Sequence, residues 1–89
     1  SASPRPNTLP RIRLEPNPAS QTTLLSSDLP LPPGLTLVVR DATGRLVGVQ
    51  TLQGQTTEIP RNGLPSGLYF VELRNRNGLV AVSKLIWTE

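Results

Sequence analysis

The sequence predicts an all-β fold: a seven-stranded antiparallel two-sheet sandwich of immunoglobulin-like type, without a disulfide. Three observations point there. Short β-rich runs recur between turn signals, and no segment carries a helical period. Ten prolines and seven glycines stand at the punctuation points of an 89-residue chain.

The elements follow in order. Ser1 to Pro10, "SASPRPNTLP", holds three prolines and two serines without apolar periodicity. It reads as a linker at residues 1–10, ahead of one domain at residues 11–89. "RIRLE" places Ile12 and Leu14 on one side of a short strand. Pro16 and Pro18 then restrict Glu15 and Asn17 to extended or turn geometry and cannot donate to a ladder, so the chain changes direction there. "QTTLLSS" is a second β-rich run, and "DLPLPPG" a proline-rich loop. In "LTLVVR", Leu35, Leu37 and Val39 share a face with Val38 on the other. Two apolar faces predict a central strand. Asp41 and Gly44 of "DATG" mark a type I turn that closes a hairpin onto "RLVGVQTL". "QTTEIP" is a short strand stopped by Pro60, and "RNGLPSG" a corner. Beyond it Tyr69, Val71 and Leu73 alternate with Phe70, Glu72 and Arg74. "NRNG" carries an Asn-Gly hairpin signal. The last strand, "LVAVSKLIW", turns Leu85 and Trp87 inward, which sends Lys84 and Ile86 outward.

Composition excludes most chemistry. A domain this small buries only roughly 60% of its unfolded-chain surface, and no cysteine is present to staple it. Histidine, the usual general base and metal ligand, is also absent. A serine–lysine hydrolase would rest on Lys84 alone. Asp28, Asp41, Glu58 and Glu72 are the sandwich carboxylates, and they follow no metal-loop spacing. Asp41 already has a turn role, and Glu72 lies on the polar face of its strand. No enzyme activity, cofactor, metal or small-molecule substrate is expected. Net charge is +3, but the arginines are scattered. Tyr69, Phe70 and Trp87 are the only aromatics, too few for a stacking platform, so no nucleic acid is expected. No run of 18 apolar residues exists. A secretory signal, if used, belongs upstream in a longer parent chain.

Four pieces now stand in order: "PNPAS" at 16–20, "DATGRLV" at 41–47, "GLPSGLYFVEL" at 63–73 and "SKLIW" at 83–87. Together they resemble the type A C-terminal sorting domain of the type IX (Por) secretion system, over residues 12 to 87. The residues that carry the resemblance are Pro16, Asn17, Pro18, Asp41, Gly44, Arg45, Leu64, Pro65, Gly67, Tyr69 and Val71, with Lys84 in the final strand. Ser83 stands where the family often has a second basic residue, and "WTE" closes the chain in place of small or aliphatic residues.

The resemblance implies a non-catalytic signal at the C-terminus of a larger exported cargo in a Gram-negative bacterium. It implies periplasmic transit towards the outer membrane, cell surface or medium. The implied partners are an outer-membrane translocon and a sortase-like cysteine protease that cuts in the linker. Lys84, Leu85, Ile86 and Trp87 are the candidates for translocon recognition, because an outward isoleucine beside a lysine near a chain end offers a docking edge. Gly44 and Gly67 are expected to supply special backbone geometry. Tyr69 is expected in the core with its hydroxyl on a backbone group near a corner. The expected state is a monomer. The alternative function is a passive immunoglobulin-like spacer of a secreted enzyme.

Overall fold

A computed structural model describes residues 12–28, 30–31, 33–52, 54 and 56–88. The linker expected at residues 1–10 lies outside them. The seven strands are β1 (Ile12–Glu15), β2 (Thr22–Ser27), β3 (Thr36–Asp41), β4 (Leu46–Thr51), β5 (Thr56–Pro60), β6 (Gly67–Asn75) and β7 (Gly78–Trp87). All strand pairs are antiparallel. One sheet has three strands in the order β1-β2-β5, the other four in the order β4-β3-β6-β7. The sheets stack as the immunoglobulin-like sandwich expected from the strand pattern.

Side-chain alternation decides what lies between the sheets. Leu37 and Val39 of β3, Tyr69, Val71 and Leu73 of β6, and Leu85 and Trp87 of β7 all enter the core. Leu14 and Leu25 meet them from the other sheet. β3 is flanked by β4 and β6, and Val38 is buried on its outer face. The two-faced apolar pattern of "LTLVVR" thus marks a central strand. Two threonines, Thr23 and Thr57, occupy core positions where aliphatics would be usual. The Thr23 hydroxyl donates to the Pro16 carbonyl (2.7 Å), so its polar atom is satisfied.

Two hairpins use one device. In the β3–β4 turn, Gly44 N–H donates to the Asp41 carbonyl (2.9 Å), and Gly44 takes a φ of 91°. Asp41 Oδ1 accepts from Thr43 N–H (2.9 Å). In the β6–β7 turn Asn75 pairs with Gly78, whose φ is 126°, and Asn75 Oδ1 accepts from Asn77 N–H (2.7 Å). The Asn-Gly dipeptide at 77–78 therefore does not fill the two central turn positions, as its usual hairpin role requires; Arg76 and Asn77 do. An Asx residue at the first position and glycine at the fourth make a turn whose only positive φ falls on glycine.

The proline pair has a tertiary consequence. After β1 the chain leaves its own sheet, with cis peptide bonds before Pro16 and Pro18, and runs beside β7 of the other sheet. There Ala19 forms a parallel bridge with Trp87 before the chain returns as β2.

Candidate recognition site around the C-terminal strand

All four motifs gather at one end of the four-stranded sheet. Asp41 pairs with Tyr69, which pairs with Leu85, in a single row across three strands. Two residues along β6 and β7, Gly67 faces Trp87, and Ala19 lies on the far side of Trp87. Residues almost the whole chain apart are thereby neighbours.

Asn17 supplies two of these contacts. Its side-chain Nδ2 donates to the Lys84 carbonyl (2.9 Å), and its Oδ1 accepts from Ile86 N–H (3.1 Å). A carboxamide presents one donor and one acceptor at the spacing of a peptide group, so Asn17 stands in for a residue of a neighbouring strand. Two backbone bonds continue the ladder: Ala19 N–H donates to the Ile86 carbonyl (2.9 Å), and Thr88 N–H to the Ala19 carbonyl (2.7 Å). These four bonds occupy the outer edge of β7 from Lys84 to Thr88. The expectation of an open docking edge here is corrected: the edge is already taken by residues 17–19, and only outward side chains remain for a partner.

The four recognition candidates divide accordingly. Leu85 and Trp87 are fully buried in the core, while Lys84 and Ile86 are exposed on the outer face of the sheet. Trp87, 1% exposed, is the largest fully buried side chain among the described residues. Burying an indole of this size contributes on the order of 4–6 kcal/mol. Its Nε1 finds no acceptor among the described residues, and the ring lines a cleft of about 100 Å³ with Val47, Ile59 and Leu64.

Arg61 is a member of this cluster that no sequence motif marks. Its Nε donates to the Leu64 carbonyl (2.7 Å), and its Nη1 to the carbonyls of Ser20 (2.9 Å) and Thr88. The guanidinium carbon also stands 5.8 Å from the centre of the Trp87 ring, within cation–π range. One side chain thus binds the β5–β6 corner, the segment after the proline pair and the end of β7. Five donors on a rigid plane suit arginine to this, as a lysine ammonium would not.

The other motif residues hold turns and corners. Tyr69 is buried and its hydroxyl donates to the Pro65 carbonyl (2.7 Å), the corner contact expected of it. Val71 is core, and Leu64 packs against the core from the corner. Pro16 is exposed, as are Gly44 and Gly67. Asp41 Oδ1 accepts from Thr43 Oγ1 (2.6 Å) and from the N–H groups of Thr43 and Arg45. The Thr43 hydroxyl, then the Arg45 N–H, hold the Asp41 carboxyl below its ordinary value, against a smaller opposing effect of desolvation. Glu72, on the outer face, accepts from Arg40 (3.3 Å) and Arg74 (2.8 Å). Asp41 and Glu72 are thus committed to a turn and an ion network.

A family model described as the secretion system C-terminal sorting domain matches residues 14–88. The chain belongs to the type IX secretion C-terminal sorting domain family. None of the curated proteins matches it. The match runs from Leu14, within β1, to Thr88, just past β7, and includes the proline crossing and the strand it covers. A sorting domain of this family is a non-catalytic signal for type IX secretion, which delivers proteins to the cell surface or extracellular space.

Proposed function

We propose that this sandwich is the address by which an outer-membrane type IX translocon recognises a larger cargo arriving from the periplasm of a Gram-negative bacterium, and that β7 displays part of that address. The observation that carries this reading is the family match over residues 14–88. The layout of β7 supports the second half. Leu85 and Trp87 anchor the strand, its edge is clasped by Asn17 and Ala19, and Lys84 and Ile86 project from a fixed backbone. Fixed side chains cost less ordering entropy on binding than a loose tail would. The signal in this reading is a folded surface. Residues 1–10 are the processing region, where a sortase-like cysteine protease separates the cargo from its tag.

The test fuses the full chain behind a secretory signal peptide and a reporter. Surface delivery in a host with the translocon, and periplasmic retention in a translocon mutant, are expected. Equal distribution in the two hosts would reduce the domain to a spacer. Cleavage is read separately, from the N-terminal sequence of the released domain in hosts with and without the protease.

A further inference from the structure

The two outer faces of the sandwich differ in a way that folding alone does not require. On the three-stranded sheet the outward positions hold Arg13, Glu15, Thr22, Ser26, Thr56 and Glu58, with Leu24 the single large exposed apolar residue among those described. That is the polar-out pattern of a solvated antiparallel sheet. On the four-stranded sheet the outward positions hold exposed Leu46, Val49, Leu68, Val82 and Ile86. These residues lie in cross-strand rows. Val49, Val38, Glu72 and Val82 form one row; Leu46, Arg40, Phe70 and Lys84 form the next; Leu68 and Ile86 continue beyond it. Aliphatic groups thus surround a central ion network of Arg40, Glu72 and Arg74. Exposed aliphatic side chains gathered on one face around charged groups mark an interaction site.

The charges on the face select its occupant. Among the described residues of these strands, Arg40, Arg74 and Lys84 face outward against a single carboxylate, Glu72, so the face keeps an excess of positive charge. A second copy meeting this face about a two-fold axis would set arginines against arginines. A lipid surface is usually engaged through several exposed aromatics, whereas this face carries one, Phe70, which is half-buried, and Tyr69 and Trp87 are in the core. The β7 edge from Lys84 to Thr88 is already bonded, so strand addition there is closed.

We infer that the outer face of the four-stranded sheet docks on a protein surface that presents aliphatic side chains ringed by carboxylates. The placement of that partner within the secretion machinery rests on the sorting reading above; the face itself extends the candidate site from Lys84 and Ile86 across to β4. Aliphatic contact supplies the affinity, and arginine–carboxylate pairs supply orientation.

Val49 and Val82 are 58% and 51% exposed, so either tolerates a charged side chain without disturbing the core. The reporter fusion carrying the full chain is made as Val49→Glu/Val82→Glu, as Val49→Lys/Val82→Lys, and with Leu24→Glu on the opposite face. Export is measured, with the melting temperature of each purified chain. Both pairs lose aliphatic contact, but only glutamate also repels carboxylates, so the glutamate pair is expected to lower export about tenfold more than the lysine pair does. Leu24→Glu is expected to export as the unmodified chain does. Equal losses from the two pairs would remove the acidic partner, and no loss from either would remove the docking face. Sedimentation of the chain with phosphatidylglycerol vesicles, abolished by the glutamate pair, would assign the face to lipid and overturn the inference. A dimer by size exclusion, also abolished by that pair, would assign it to a second copy with the same result. Translocon-independent export of the unmodified fusion would sink the sorting reading instead, and is distinguished by the translocon mutant alone.

Discussion

Replacing Asn17 by alanine removes both arms of the clasp on β7. The two hydrogen bonds, at 2.9 and 3.1 Å, connect a turn residue to a strand almost seventy positions away, and both lie at the surface. Each net bond contributes about 0.5–1.5 kcal/mol, and exposed partners recover part of that from water. The expected loss is about 1–2 kcal/mol for the pair. With a urea slope of about 1 kcal/mol per molar for so small a domain, the unfolding midpoint should fall by about 1–2 M. The Asn17→Asp variant separates the clasp from a general effect at this turn. A carboxylate still accepts from Ile86 N–H but faces the Lys84 carbonyl oxygen with no proton to offer. Ionisation is then disfavoured in the folded state, and the folded pKa of the introduced group rises above its unfolded value of about 3.9. The Asn17→Asp chain should therefore approach the parent in stability below that value and lose ground as pH rises through the folded one. Urea melts at several pH values measure the difference between the two chains. An alanine variant with an unchanged midpoint, or an aspartate variant equal to the parent at pH 7, would refute the clasp.

Other outcomes follow from contacts already described. Tyr69→Phe removes the hydroxyl from the Pro65 carbonyl and should cost about 1 kcal/mol by urea melting, since the core ring is retained. Trp87→Ala should cost about 3–5 kcal/mol, enough to unfold much of the population of a small domain. Trp87→Phe should cost much less, because it also removes a buried donor that has no acceptor among the described residues. Asp41 stabilises its turn as a carboxylate with a lowered pKa. Its contribution is complete above the ordinary value of 3.8 and is lost as pH falls through the lowered folded value. Asp41→Asn should remove that part of the acid sensitivity, measurable as a flatter pH dependence of the urea midpoint below about pH 4.

The strands are legible in the sequence because their alternation is strong. Tyr69, Val71 and Leu73 against Phe70, Glu72 and Arg74 admit one register, and Leu85 and Trp87 likewise commit β7 to one facing. The β6–β7 turn shows the limit of local signals. Asn77-Gly78 is a strong hairpin dipeptide, but Asn75 and Gly78 offer a competing Asx-to-glycine turn, and cross-strand pairing chooses it. The β7 edge escapes a sequence reading for a related reason. Its cover comes from Asn17 and Ala19, and nothing in a local pattern says that a proline turn leaving one sheet will lie against the last strand of the other. Arg61 is silent in the sequence because it binds carbonyls, and any residue can supply a carbonyl. Buried Thr23 and Thr57 read as polar by identity, although their β-branched shape fits a pleated core and the Pro16 carbonyl receives one hydroxyl.

The central claim is that the secretion machinery reads outward side chains of a fully folded β7. The most direct measurement is export of the reporter fusion carrying Lys84→Ala/Ile86→Ala, beside the melting temperature of the same purified chain. Deleting Lys84 to Glu89 would not serve, because it also removes Leu85 and Trp87 from the core. The pair is expected to melt within about 3 °C of the parent while export falls about tenfold or more. Export at the parent's level from a chain that melts normally would contradict the claim.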